Sequence, residues 1–331
     1  MRYGVPYKGS KNQIAEWVCS HFPKASNFYD LFAGGCAITH CAMEKNIFQN
    51  YHANDIADSH FLFMEAVYGK FQNETRWISR EDFFRLKDSE PYIKYAWSFG
   101  NNGRDYLYSK EIEPWKKALH YARVLNDFSL LEAFGIKTDK ADRITIAKNA
   151  DEWKKKYIEW AIKFFAFTDE EIEKYNQYKK EGVFENLIHG SVGLIQLKKR
   201  LRSLQSLESL QRLHPDLVVT GEDYAAIAAR YSGLDVCFYA DPPYAGTACY
   251  HKSGFDHDRF YDWLRSVDFS VYVSEYTMPE DFTAIWERRK TCTLSSTNNA
   301  RQTVEKVFVR SDFAGQAVKD AGMLDLWGDG E

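Results

Sequence analysis

The stretch Val236-Cys237-Phe238-Tyr239-Ala240-Asp241-Pro242-Pro243-Tyr244 sets the reading of the whole chain. Five apolar residues stop at an acid followed by two prolines. The run predicts a buried strand over 236–240. The prolines predict a stiff turn after it, because each fixes its own φ, lacks a donor and holds the residue before it extended. A carboxylate, rigid backbone carbonyls and an aromatic ring are thereby presented at the carboxyl end of a strand, where ligands bind in an open α/β sheet. The same nine residues also fit a strand and turn with no role beyond structure. The choice between the two rests on what lies upstream.

Residues 27–38 read Asn-Phe-Tyr-Asp-Leu-Phe-Ala-Gly-Gly-Cys-Ala-Ile. They predict a strand over 28–32, a turn at Gly34 and Gly35, and a helix through 39–43. Glycines at a strand-to-helix turn let a ligand approach the backbone closely. A second short strand over 51–54 ends at Asp55, about 20 residues past the glycines, the separation at which an acid reaches ribose hydroxyls. G-x-G-x-x-G is absent, so this is not a dinucleotide fingerprint. Before the first strand, residues 3–12 are short, basic and glycine-bearing, and Ser10 can cap a helix expected through 14–18. A loop that opens a helix offers N–H groups and a positive dipole end to an anion such as a carboxylate.

With 331 residues the chain can form one large domain or two ordinary ones. Hydrophobic content of 45% and charged content of 27% fit a soluble globular protein. Aromatic content of 16% is high, which serves either a thick core or the stacking of bases. The net charge of −4 gives no global sign of nucleic acid, but its distribution is uneven. Residues 75–214 hold 26 Lys and Arg against 21 Asp and Glu, while the remainder holds 17 against 26. A relatively basic middle supports a phosphate-facing insertion, although a solvated surface gives the same balance. Six cysteines without C-x-x-C read as reduced thiols, and Cys249 with His251 is too few ligands for a metal site, so no metal is expected. The chain begins without a signal-peptide core and holds no apolar run of membrane length; no membrane partner and a cytoplasmic protein are expected.

After a helix expected over 60–71 the α/β alternation stops. Residues 75–214 read as mostly helical, with charged periodic stretches at 115–125, 151–167 and 169–179. Within them, Trp97-Ser98-Phe99-Gly100-Asn101-Asn102-Gly103-Arg104-Asp105-Tyr106 is a loop by its Gly and Asn content. Asn101, Asn102 and Arg104 are of the types that read base edges. Lys198, Lys199 and Arg200 open a leucine-rich helical segment and suit phosphate, or equally a solvated helix face. The sheet resumes with a strand over 217–220 ending near Glu222 and Asp223, then a helix over 225–230. Beyond Tyr244 come a helix over 260–265, a strand over 271–276, and a hairpin of 290–295 with 303–309 across Asn298-Asn299. The tail from Asp320 is expected to fray.

Four motifs in this order resemble one known family: Tyr7-Lys8-Gly9-Ser10-Lys11, Asp30-Leu31-Phe32-Ala33-Gly34-Gly35, Asn54-Asp55 and Asp241-Pro242-Pro243-Tyr244. The chain is similar to Dam-type adenine-N6 DNA methyltransferases, with a target-recognition region set between the cofactor half and the catalytic half. The resemblance implies an α/β fold: a Rossmann-like methyltransferase sheet from 1–74 and 215–331, with a mostly helical DNA-binding insertion at 75–214. It implies S-adenosylmethionine as cofactor and double-stranded DNA as partner. Tyr7, Lys11, Asp30, Phe32, Ala33, Gly34 and Gly35 would bind the cofactor, Lys11 meeting its carboxylate and Phe32, Ala33 and Gly34 its methionine part. Asp55 would take the ribose hydroxyls, and Asp223, with Glu222 as the alternative, the adenine amino group. Asp241, Pro242 and Tyr244 would be catalytic. Cys36 and Ala37 stand where a third small residue is common, which the turn tolerates.

The expected chemistry also follows from the residues. An adenine N6 is a poor nucleophile because its lone pair is delocalised into the ring. The Asp241 carboxylate and the Pro242 carbonyl can each accept one N6–H bond and draw the nitrogen toward tetrahedral geometry; most of the gain is positioning and charge stabilisation. Tyr244 stacking on the base, worth about 1–3 kcal/mol, partly offsets turning it out of the duplex. Two other readings use the same residues: an amino-methyltransferase acting on RNA or protein, and a catalytically inactive DNA-binding protein of the same fold.

Overall fold

The computed structural model describes residues 3–136, 156–157, 190–231, 233, 235–244, 255–292 and 301–325. Apart from Lys156 and Tyr157, the helices expected over 151–167 and 169–179 lie outside the described residues, as do Cys249, His251 and Asn298-Asn299. The chain divides into two compact units, residues 1–69 with 204–331, and residues 70–203.

The first unit is built on one seven-stranded sheet. After a 3-10 turn at Lys11–Gln13 come α1 (Ala15–Cys19), β1 (Asn27–Asp30), α2 (Ala37–Glu44), β2 (Asn50–Asn54) and α3 (Ser59–Val67). In the second unit lie α4 (Arg80–Leu86), α5 (Pro91–Ala96), α6 (Glu113–His120) and α7 (Ser129–Glu132), and α8 (Gly190–Ser206) leads back to the first. There the chain continues as α9 (Glu208–Leu213), β3 (Val218–Thr220), α10 (Tyr224–Tyr231), β4 (Val236–Ala240), α11 (His257–Ser266), β5 (Val271–Glu275), β6 (Phe282–Cys292), β7 (Arg301–Arg310) and α12 (Ala314–Asp325). The strand order is β3-β2-β1-β4-β5-β7-β6. The first five strands are mutually parallel, and β7 runs antiparallel to β5 and β6. This is the Rossmann-like α/β sheet that the resemblance implies.

Alternation explains why its central strands read as unbroken apolar runs. Tyr29 of β1 and Leu31 just past it share a face with Phe238 and Ala240 of β4, and pack on Tyr224 and Ile227 of α10 and on Phe260 and Leu264 of α11. On the other face Phe28 and Tyr239 meet the ring of Phe22. A strand covered on both faces needs apolar residues at every position.

Two local readings are corrected. The hairpin is longer than its apolar pattern, because β6 starts at Phe282 and bulges between Ala284 and Trp286. The Glu287-Arg288-Arg289-Lys290 run, which hides the strand pattern, belongs to an edge strand, where charges are normal. The tail forms α12 instead of fraying at Asp320, with Ala317 and Ala321, one turn apart, both buried.

In the second unit, Trp115, Leu119, Leu131, Phe134 and Tyr157 form a small core. Helices α4 and α5 fall within the stretch expected to be mostly helical, and each carries a start signal that marks its bounds. Ser79 caps α4 in a reciprocal box with Asp82, and Pro91 opens α5 at a position that needs no N–H. The helix expected over 115–125 is α6 followed by a π-type turn at Tyr121–Leu125.

Candidate active site

The strand order fixes where a site can be. From β1 the chain builds outward to β2 and β3; from β4 it builds the other way to β5. The carboxyl ends of β1 and β4 therefore flank the point where the order reverses, the usual crevice for ligands in such sheets. Asp30 lies opposite Tyr239, and the ladder runs one bond further through Leu31 N–H to the Tyr239 carbonyl at 2.9 Å. The turn after β1 and the Asp241-Pro242-Pro243-Tyr244 turn after β4 thus leave adjacent strands at the same end.

The glycine turn is covered by the chain's own N-terminal segment. Val5 N–H donates to the Gly35 carbonyl at 2.8 Å, and Gly4 N–H donates to His40 Nδ1 at 2.9 Å. Burial pulls His40 down to about 4, which keeps that nitrogen an acceptor. The Tyr7 side chain lies on the glycines. A Cβ on Gly34 would stand 2.9 Å from Tyr7 Cε1, and one on Gly35 would stand 2.7 Å from Tyr7 Cβ. The sequence suggests that these glycines admit a ligand; in the fold they first admit Tyr7.

Asp55 anchors the same turn from β2. Its Oδ2 accepts from Gly34 N–H and its Oδ1 from Ala57 N–H, both at 2.7 Å. Ser59 Oγ donates to the Gly34 carbonyl at 2.7 Å, and Ala33 N–H donates to Asn54 O at 2.8 Å. Asn54, placed in a motif but given no role by the sequence, ties three strand ends together: its Nδ2 donates to Leu31 O and Glu222 O, and its Oδ1 accepts from Thr220 Oγ1 and Glu222 N–H.

Asp30 sits beneath the turn, 2% exposed, with Thr39 Oγ1 donating to its Oδ2 at 2.8 Å. Its Oδ1 is buried with no hydrogen-bond partner among the described residues. Burial pushes the carboxyl up to about 8, with Asp241 and Asp55 adding to the shift and the Thr39 hydroxyl opposing it. Phe32 belongs to an aromatic group with Tyr224, Phe255 and Phe260, at centroid distances of 5.2, 5.6 and 5.6 Å. Past β3, Glu222 pairs with Arg230 at 2.7 Å, and Asp223 pairs with Arg259 at 2.8 Å while capping α10 through Ala225 N–H.

On the β4 side, Lys11 meets the proline turn. Lys11 Nζ lies 3.0 Å from Asp241 Oδ1, 3.8 Å from Glu305 Oε2 and 4.0 Å from the Tyr244 ring centre. Burial pulls this ammonium down, but Asp241 and Glu305 outweigh it and hold it above the ordinary lysine value. The Tyr244 hydroxyl donates to Glu305 Oε2 at 2.7 Å, and Tyr276 stands edge-on to its ring at 4.5 Å. Burial, then Asp241 and Glu305, raise the Tyr244 phenol well above its usual range. His257 Nε2 bonds the Pro243 carbonyl at 2.8 Å and braces the turn from α11. No group among the described residues bonds the Pro242 carbonyl. Glu305, Tyr276 and His257 had no role in the sequence reading, and a lone glutamate in a β stretch carries no signal that could have found it.

In the second unit, the loop over 97–106 is closed by a bridge between Ser98 and Tyr106. Asn102 spends its side chain on this loop: Oδ1 accepts from Arg104 and Asp105 N–H, and Nδ2 donates to Asp105. Asn101 takes a left-handed φ of 57°. Arg104 is exposed and pairs with Asp105 at 2.8 Å, and Phe99 at the loop tip is 66% exposed. Arg200 turns inward, donating to the Ala96 and Ser98 carbonyls; burial pulls its guanidinium down to about 10. Lys199 is exposed, and the Lys198 side chain lies outside the described residues.

Among the described residues no cluster of His, Cys, Asp and Glu could hold a metal, and no helix is long and apolar enough to cross a membrane. No curated protein matches the chain. A family model described as D12 class N6 adenine-specific DNA methyltransferase matches residues 7–273. That span runs from Tyr7 against the glycine turn, through Asp55 and the proline turn, into β5. The match covers well over half of the chain, which belongs to the D12 class N6 adenine-specific DNA methyltransferase family, whose members are enzymes acting on DNA.

Proposed function

We propose that the protein transfers a methyl group from S-adenosylmethionine to N6 of an adenine turned out of duplex DNA at a specific sequence. The observation that carries this reading is the Asp241-Pro242-Pro243-Tyr244 turn beside the glycine turn, at the reversal of strand order. The residues present suit that donor. Asp30 Oδ1 is a buried oxygen without a partner among the described residues, under the turn that would hold the methionine part. Asp55 and Asp223 stand at strand ends where ribose hydroxyls and an amino group find acceptors, and Phe32 supplies an aromatic wall. Lys11 is assigned to Asp241 and not to the donor's carboxylate, since its ammonium already lies against two acids.

When bound, S-adenosylmethionine supplies an electrophilic methyl carbon that takes the N6 lone pair while the carbon–sulfur pair leaves on sulfur. The chain's own residues prepare the amino group. Asp241 and the Pro242 carbonyl accept its two hydrogens out of the base plane, which frees the lone pair, and the surplus proton passes to water. Tyr244, whose ring also carries Lys11 over one face, stacks on the base. Residues 75–214 are assigned to target recognition, with Lys199, Arg104 and the Phe99 tip as contacts; Arg200 instead shapes the loop.

Labelled S-adenosylmethionine incubated with unmethylated duplex DNA, followed by digestion to nucleosides, tests the reading. Label is expected in N6-methyl-2′-deoxyadenosine, and Asp241→Asn is expected to lose transfer while cofactor binding remains. Cofactor binding by the intact protein without any label in DNA would overturn the assignment.

A further inference from the structure

A carboxylate buried in a sheet is costly unless it is paired and hydrogen-bonded. Glu305 is such a group: 1% exposed, on β7, the antiparallel strand between β5 and β6. It lies outside the residues 7–273 that the family model matches. Its register explains its reach. Glu275 at the end of β5 pairs with Lys306, so Glu305 stands level with the end of that strand, next to Tyr276. From there its Oε2 accepts the Tyr244 hydroxyl at 2.7 Å and lies 3.8 Å from Lys11 Nζ.

We propose that Glu305 is a positioning residue for methyl transfer, fixing the Tyr244 ring and sharing the Lys11 ammonium so that Asp241 keeps its strength as an acceptor. The proposal rests on the reading of Asp241 and Tyr244 given above. Two parts of the geometry carry it. First, the Tyr244 ring is held at its hydroxyl by Glu305, over its face by Lys11, and in a T-shaped contact by Tyr276. An aromatic ring that must meet an incoming base gains from being held in one orientation beforehand. Second, one ammonium serves two carboxylates. If Glu305 carried no charge, the whole attraction of Lys11 would fall on Asp241, whose lone pairs would then be less available to an amino N–H.

Glu305→Gln separates charge from shape, since the amide oxygen can still accept from Tyr244. Tyr244→Phe removes the hydrogen bond and keeps the ring and the Glu305 charge. Both are expected to lower kcat about 10- to 100-fold, the scale of a small misplacement at a reacting centre. The KM for S-adenosylmethionine should stay within about threefold, because neither change touches the groups assigned to the donor. A second readout needs no turnover. In protein labelled with carbon-13 at the tyrosine ring carbon bearing oxygen, the Tyr244 resonance is identified by its loss in Tyr244→Phe. It should move in Glu305→Gln, because the phenol exchanges a charged acceptor for a neutral one. Wild-type kcat in Glu305→Gln, or a Tyr244 resonance that does not move, would overturn the proposal and leave adenine methylation standing. A wild-type protein that puts no methyl on DNA would overturn the underlying reading, and the tyrosine resonance would still test the contact.

Discussion

Replacing Gly34 by alanine distinguishes a glycine that serves the fold from one that serves only a ligand. Two costs are expected in the protein without cofactor or DNA. Gly34 has a φ of +49°, and holding an alanine there costs about 1–2 kcal/mol. The new Cβ would also stand 2.9 Å from Tyr7 Cε1, when ordinary contact begins at 3.4 Å. Gly34 cannot yield easily, because its N–H is bonded to Asp55 and its carbonyl to Ser59. The Tyr7 ring must therefore move by about 0.5 Å, and such overpacking costs about 1–3 kcal/mol, toward the low end because Tyr7 is only half-buried. Together Gly34→Ala should destabilise the protein by about 2–4 kcal/mol in urea denaturation. The three atoms nearest to that Cβ all belong to the Tyr7 ring. In a Tyr7→Ala background the same change should cost only the backbone part, giving a coupling of about 1 kcal/mol or more in a double-mutant cycle. A coupling near zero, or an unchanged cofactor-free stability together with lost cofactor binding, would refute the reasoning and return Gly34 to the ligand alone.

Stability should peak near pH 6.5. Burial holds His40, His52 and His60 at about 4, so each contributes stability that is present above its ordinary value, about 6.5, and lost as pH falls toward 4. Asp30, pushed up to about 8, contributes in the opposite sense: its share is full below about 4 and lost as pH rises toward 8. Each proton is worth about 1.4 kcal/mol per pH unit, so three histidines outweigh one aspartate on the acid side, and Asp30 governs the decline between about 6.5 and 8. Asp30→Asn should flatten that decline in urea titrations; a limb parallel to the wild type would sink the assignment. Arg200→Met should destabilise the protein by about 1–3 kcal/mol, by stripping the Ala96 and Ser98 carbonyls of a buried donor, and leave the salt dependence of DNA binding unchanged. Lys199→Ala should do the reverse, lowering the slope of log affinity against log salt by about one; equal salt slopes for the two variants would show that the assignment is mistaken.

The sequence by itself determined the punctuation of the sheet. Two glycines after β1, an acid after β2 and two prolines after β4 act on their own backbone within a few residues, so their places at strand ends were legible without knowing what lay beside them. Apolar runs likewise marked the central strands, because both faces are covered. The charged edge strand β6 and the alanine-faced α12 gave no comparable pattern, since neither buries a continuous apolar stripe. Only the tertiary structure decided which ends meet. Lys11 reaches Asp241 from the far end of the chain, Glu305 arrives because β7 runs antiparallel beside β5, and Tyr7 fills the space above Gly34. The same holds for charge: Arg200 and Lys199 are neighbours in a basic run, yet one is turned to backbone carbonyls and the other to solvent. These contacts depend on strand order and on which way a side chain faces, and neither is encoded within a few residues of the side chain concerned.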